Sequence, residues 1–173
     1  ARAKKMLERF SIFHQKSLSD NNRSVAGVEK SFEITVGRAL IRGNVDRIEV
    51  DSDGKHFIID FKTGKKEISG DDAKSNLQLA CYQLGVVLDG FEEKLKSTDV
   101  TGAQLVYLAS KNKSYSTREQ DALVDVEATT AILEEIAVGM GGATFTARKN
   151  DMCKQCKVKP SCPLYLEGKA VHQ

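Results

Sequence analysis

The chain has 173 residues, 40% of them hydrophobic and 29% charged, with a formal net charge of +2. That balance suits one soluble globular domain with its own core, and no apolar run approaches the ~20 residues of a membrane helix. The net charge is too small to imply a polyanionic partner, so any nucleic-acid surface has to come from local clusters of Lys and Arg. The chain opens at Ala1 inside a helical pattern, which predicts a piece of a longer protein. With no signal-peptide layout, that protein is expected to be cytoplasmic, with no membrane partner.

Residues 1–18 carry Met6, Leu7, Phe10 and Phe13 at helical spacing. The polar run SDNNRS then predicts a loop. From Val25 to Val50 β-branched residues accumulate, and Gly37 divides the run into two strands. Ser52-Asp53-Gly54 separates the second strand from HFIIDFK, residues 56–62, and the three segments predict an antiparallel meander. HFIIDFK is apolar at Phe57, Ile58, Ile59 and Phe61, on both faces, as expected of a central strand covered on both sides. A polar connection leads to a helix over roughly 72–89, capped by Asp71 or Asp72, with Leu77, Cys81, Leu84 and Leu88 as its buried stripe. GAQLVYLAS predicts a fourth strand, KNKSYSTREQD an exposed charged loop, and ALVDV a short edge strand. Residues 127–140 read as an amphipathic helix ended by Gly141 and Gly142, and an irregular tail follows from Phe145. This order predicts an α/β (α+β) fold. A central mixed sheet of four to five strands, the antiparallel meander first, is flanked by helices in one domain, 1–173, with a cysteine-bearing tail at 145–173.

The stretch Asp60-Phe61-Lys62-Thr63-Gly64 closes the central strand with a carboxylate and an ammonium two residues apart, hence on one face. A two-residue Asp53-Gly54 turn pairs Asp46 with Phe61 and sends the two acids to opposite faces. A three-residue Ser52–Gly54 loop with Gly54 left-handed pairs Asp46 with Asp60, about 5 Å apart at Cβ. Two carboxylates that close repel each other unless a cation lies between them, and Mg²⁺ is the simplest hard cation for oxygen ligands. Such a trio suits phosphodiester hydrolysis: Asp46 and Asp60 hold the metal, and Lys62 positions water or offsets developing charge. The competing reading is a solvated hairpin with a structural Asp60–Lys62 ion pair.

In order, Gly43-Asn44-Val45-Asp46-Arg47, Asp60-Phe61-Lys62-Thr63-Gly64 and Gln78-Leu79-Ala80-Cys81-Tyr82 resemble the PD-(D/E)xK nuclease superfamily, and most nearly the RecB-like nuclease domains of bacterial UvrD-like and AddB-like helicase–nucleases. The resemblance implies a restriction-endonuclease-like core and a Mg²⁺- or Mn²⁺-dependent deoxyribonuclease, expected to be an exonuclease. Asp46 and Asp60 would be metal ligands, Lys62 catalytic, and Gln78 and Tyr82 beside the site. Glu29 matches an acid on the first strand, a candidate metal-side group, and His14 lies where such domains carry a His ahead of that strand. The implied partners are DNA, helicase domains of the same chain and a second helicase–nuclease subunit, in double-strand-break repair and recombination. No ATP-binding G-x-x-x-x-G-K-[ST] run is present, so ATP use would belong to the parent chain. The alternative is a catalytically inactive, nuclease-like scaffold or DNA-binding module with a cysteine-ligated metal.

Cys153, Cys156 and Cys162 have C-x2-C-x5-C spacing, a pattern for a coordination site. Under the resemblance they become three ligands of a [4Fe–4S] cluster, whose fourth cysteine lies upstream of the core. Cys81, on the helix stripe, is a poor substitute. Arg148, Lys149, Lys154, Lys157 and Lys159 are candidate phosphate contacts, and Tyr115 a candidate base-stacking residue. His56 reads as structural.

Overall fold

The computed structural model describes residues 2–144 and 146–165. It divides into two compact units, Ala1–Glu134 and Glu135–Gln173. The first contains α1 (Arg2–Asp20), β1 (Ser24–Val36), β2 (Ala39–Val50), β3 (His56–Lys62), α2 (Gly70–Lys74), α3 (Leu77–Val87), β4 (Val100–Tyr107), β5 (Ser116–Asp121) and the start of α4 (Val126–Met140). The second holds the end of α4 and two 3-10 turns, Asp151–Gln155 and Lys159–Ser161. Phe145 and residues 166–173, part of the tail expected to be irregular, lie outside the described residues.

One five-stranded sheet runs in the order β1-β2-β3-β4-β5. The first three strands are the expected antiparallel meander, β4 lies parallel to β3, and β5 returns antiparallel to β4. A parallel neighbour needs a crossover, which α2 and α3 supply. Alternation along β3 fills two cores. Ile58 joins Phe32, Ile48, Leu79, Leu84 and Leu105 on the α3 side. Phe57, Ile59 and Phe61 pack with Phe13 and Phe10 of α1 on the other side.

Three expectations are corrected. The charged run after β4 is not all loop: Ser116–Asp121 is the edge strand, and 122–125 are irregular. Only Gln120 of that strand is buried, so its composition reads as solvated, as protected edges do. The helix expected over 72–89 is two helices. Ser69, not an aspartate, caps α2 with Asp72 closing the capping box, and Asn76 caps α3. The buried face of α3 is Leu79, Ala80, Gln83, Leu84 and Val86, whereas Leu77 and Leu88 are 39% and 41% exposed. Hydropathy misplaced the stripe because Gln83 is buried with every polar atom satisfied. Its amide donates to Gln120 Oε1 and the Asp121 carbonyl, and its oxygen accepts from Leu123 N. Gln120 in turn donates to the carbonyls of Ala73, Lys74 and Asn76.

Candidate active site

The β2–β3 hairpin sets the site. Its loop is the three-residue form: Asp51 N donates to the Lys55 carbonyl at 3.0 Å, and Gly54 sits at φ +80°. Asp51 Oδ1 accepts from the backbone N–H groups of Asp53 and Lys55 and locks the turn. Arg47 therefore pairs with Ile59 and Val50 with His56, and one step further Asp46 falls opposite Asp60. Starting from Asp51–Lys55, every second pair exchanges backbone hydrogen bonds, which makes Val45–Phe61 the next in line. Instead Phe61 N–H donates to Asp46 Oδ2 at 2.6 Å. The carboxylate replaces a ladder carbonyl and the two strands part. On the other side of β2, pairing skips from Val28–Arg47 to Lys30–Val45, and the intervening Glu29 is left-handed, φ +49°.

Asp60 is 4% exposed. Its Oδ1 accepts from Gln78 Nε2 at 3.0 Å and, more weakly, from the Tyr82 hydroxyl at 3.4 Å. Its Oδ2 lies 2.8 Å from Lys62 Nζ in an ion pair. Lys62 Nζ donates to Gln78 Oε1 at 2.9 Å, and Gln78 Nε2 also donates to the Tyr82 hydroxyl at 2.8 Å. One amide thus bridges the acid, the lysine and the phenol, all on the α3 side of the strand end. Burial, the larger cause, and the charge of Asp46 push the Asp60 carboxyl above the usual range, against the pull of Lys62 and Tyr82. Burial likewise raises the Tyr82 hydroxyl, and the charges of Asp60 and Asp46 add to it. Gly43 makes room for this corner: a Cβ there would lie 2.7 Å from Phe32 Cε1 and 3.5 Å from Tyr82 Cε1.

Asp46 also lines a hollow of about 380 Å³ together with Glu29, His14, Phe10 and Phe61. Arg47 Nη1 lies 2.7 Å from His14 Nδ1. A guanidinium only donates, so Nδ1 accepts and the imidazole proton sits on Nε2. Behind it, Arg47 Nη2 meets Glu49 Oε1 at 2.5 Å, and Ser17 Oγ lies 2.8 Å from both Glu49 oxygens. Arg47 and Glu49 are 2% and 0% exposed. The sequence reading missed this buried network. Its one signal was a pair of opposite charges two apart, Arg47 and Glu49, on the inward face of a strand.

The hairpin thus brings Asp46, Asp60, Lys62, Gln78 and Tyr82 to one strand end, with Glu29 and His14 adjoining. The four cysteines are all free thiols. Cys81 is half-buried against the α3-side core, where burial raises its thiol pKa. In the second unit Cys153, Cys156 and Cys162 are free thiols. Among the described residues no three His, Cys, Asp or Glu side chains form a metal-holding group. Cys153 Sγ accepts from Asn150 N–H at 3.3 Å, within its own cap. Tyr115 is no free stacking platform, since its ring stands edge-on to Phe13 at 5.3 Å. His56 is buried, with its basicity lowered chiefly by desolvation.

No described helix is long and apolar enough to cross a membrane. No curated protein matches the chain. Among solved structures, the crystal structure of SSO0001 is 20% identical, with 92% of this chain and 69% of that chain covered at a TM-score of 0.43. The family profile described as PD-(D/E)XK nuclease superfamily matches residues 1–163, a span that takes in the hairpin, the strand-end carboxylates, Lys62 and α3. With its mixed five-stranded sheet and flanking helices, the chain belongs to the PD-(D/E)XK nuclease superfamily.

Proposed function

We propose that this domain hydrolyses DNA phosphodiester bonds, with a Mg²⁺ or Mn²⁺ ion held by Asp46 and Asp60. The observation that carries the reading is the buried Asp60 carboxylate. It is buried beside a second acid, Asp46, whose charge acts on it, and it is ion-paired to Lys62 at 2.8 Å. A buried acid arranged this way fits a hard cation. Two protein carboxylates suffice for Mg²⁺, which keeps waters and takes substrate phosphate oxygens as further ligands. When bound, the cation supplies a more acidic water and neutralises charge on the phosphoryl oxygens.

The chain's own residues do the rest. Lys62 faces the reacting phosphate with a point positive charge and is fixed by Gln78. Tyr82 and Gln78 keep the Asp60 carboxylate aimed. Glu29, which lines the same hollow as Asp46, serves as a metal-side group. His14, with its proton on Nε2, donates a hydrogen bond into that hollow rather than ligating the ion.

Exonuclease action, and a place as the nuclease module of an ATP-dependent helicase–nuclease in double-strand-break repair, are supported by the order and spacing of the three motifs. The same resemblance supports a [4Fe–4S] cluster on Cys153, Cys156 and Cys162, completed by a cysteine upstream. A labelled strand incubated with Mg²⁺ or Mn²⁺ should be cut. Asp60→Ala and Lys62→Ala should bind it and cut about 10²–10³-fold more slowly or not at all. An intact protein that binds the strand without cutting it, in either metal, would favour the inactive scaffold.

A further inference from the structure

The site described so far reads one phosphate, but a polymer has many, and the first unit carries a second feature that fits the others. A groove of about 480 Å³ runs between the first half of α1 and the ends of β3 and β4. Arg2, Lys5, Arg9, Lys65 and Lys111 line it, and no acid does. Arg2, Lys5 and Arg9 are spaced to share one helix face. Two of the five are fixed in place. Arg2 donates to the Thr63 carbonyl, one residue beyond Lys62, and Arg9 donates to the carbonyls of Leu108, Ser110 and Asn112. Arg9 thereby ties the β4–β5 loop to α1 and sets the far wall. Lys5, Lys65 and Lys111 are exposed and take part in no described ion pair. Glu67, close enough to Lys111 to feel its charge, is engaged by Arg118 at 3.0 Å and by Ser116 Oγ.

Five cations facing one groove repel each other, and the arrangement is favourable against a polyanion. The geometry points to this groove as the track for the phosphodiester backbone of the substrate strand, leading to or from Lys62. This rests on the hydrolase reading and extends it to substrate positioning. Along α1 the groove residues precede Phe10 and His14, which line the hollow at Asp46. Nine residues of helix from Lys5 to His14 span about 13.5 Å, on the order of four phosphates at 3.4 Å each.

The test is anisotropy titration of labelled single-stranded and duplex oligonucleotides without divalent metal, at salt concentrations from about 50 to 200 mM. The protein is compared with Lys5→Gln/Lys65→Gln/Lys111→Gln and with Lys55→Gln/Lys96→Gln as a surface control. Each lost phosphate contact lowers the slope of log affinity against log salt by about 0.9 on duplex or 0.7 on a single strand. The triple variant should therefore lose about 2.7 or 2.1 of slope, and the ratio of affinities across that salt range should shrink by about 40-fold or 20-fold. The control should match the parent, and far-UV circular dichroism should superimpose for all three. A triple variant with the parent's slope on both ligands, or a parent that binds neither, overturns the inference. Cleavage with Mg²⁺ is scored separately. Cutting with an unchanged slope sinks the groove and spares the hydrolase, whereas a reduced slope without cutting does the reverse.

Discussion

The ion pair under α1 offers the sharpest test of how the site is held. Glu49 is fully buried, 2.5 Å from Arg47 and bonded by Ser17, while a second cation, Arg23, stands 4.0 Å away. Glu49→Gln keeps the volume and removes the charge, leaving the Arg47 guanidinium buried without a carboxylate. Removing one partner of a buried pair costs about 3–5 kcal/mol. For a chain of this size each kcal/mol shifts the melting temperature by roughly 2–4 °C, so a fall of roughly 6–20 °C is expected in thermal unfolding followed by circular dichroism. Replacing both charges, Arg47→Met with Glu49→Leu, removes the stranded charge and should bring stability back to within about 1 kcal/mol of the parent. That double variant separates structure from chemistry: it folds, but His14 Nδ1 has lost its donor. Cleavage should fall while the melting point recovers. A single variant melting within about 2 °C of the parent would refute the energetic argument, and a double variant that cuts at the parental rate would remove His14 from the machinery.

Five further substitutions, at four positions, probe the strand end and its surroundings. Asp60→Asn should abolish cleavage yet stabilise the protein at neutral pH. The folded carboxyl binds its proton more tightly than the unfolded one, so its contribution to stability is present at low pH and lost as pH rises above the ordinary carboxylate range; urea unfolding should show the variant's advantage growing over that interval. Asp46→Asn retains an acceptor for Phe61 N–H and Asp46→Ala does not; both should stop cleavage, but only the alanine should cost about 1–3 kcal/mol in urea unfolding. Gly43→Ala should cost about 1–3 kcal/mol because its Cβ meets the Phe32 ring at 2.7 Å. Gly64→Ala, where a Cβ meets nothing within 4 Å, should change stability by less than about 0.5 kcal/mol.

Where sequence reasoning succeeded, one local rule decided the outcome. Apolar residues on both faces of HFIIDFK marked a central strand, and the Ser52–Gly54 loop determined which residue Asp46 would face. It failed where a polar residue was buried through a distant partner. Gln83 and Gln120, 37 positions apart, satisfy each other inside the protein, so the inward face of α3 read as too polar and β5 as a loop. Ser69 and Asn76 were passed over as caps because the neighbouring aspartates carry the same local signal. Arg47 and Glu49 looked like ordinary strand charges, since nothing local says that α1 lies across them.

The parting of β2 from β3 links these observations. Val45 and Ile48 both enter the α3-side core, yet they are three residues apart on a strand whose faces repeat every two. The alternation therefore slips at Asp46, where the carboxylate takes the N–H that Val45 would have received. Opposite it, Glu29 carries a left-handed backbone that costs a residue with a Cβ about 1–2 kcal/mol. A regular ladder would avoid that cost, but its backbone hydrogen bonds would close the seam in which the Asp46 carboxylate now sits. In the open seam Asp46 lines the hollow with Glu29 and His14, close enough to Asp60 for its charge to act on that carboxyl. The strain is concentrated at the point where acidic side chains converge, which is where a fold tolerates it when the convergence serves chemistry.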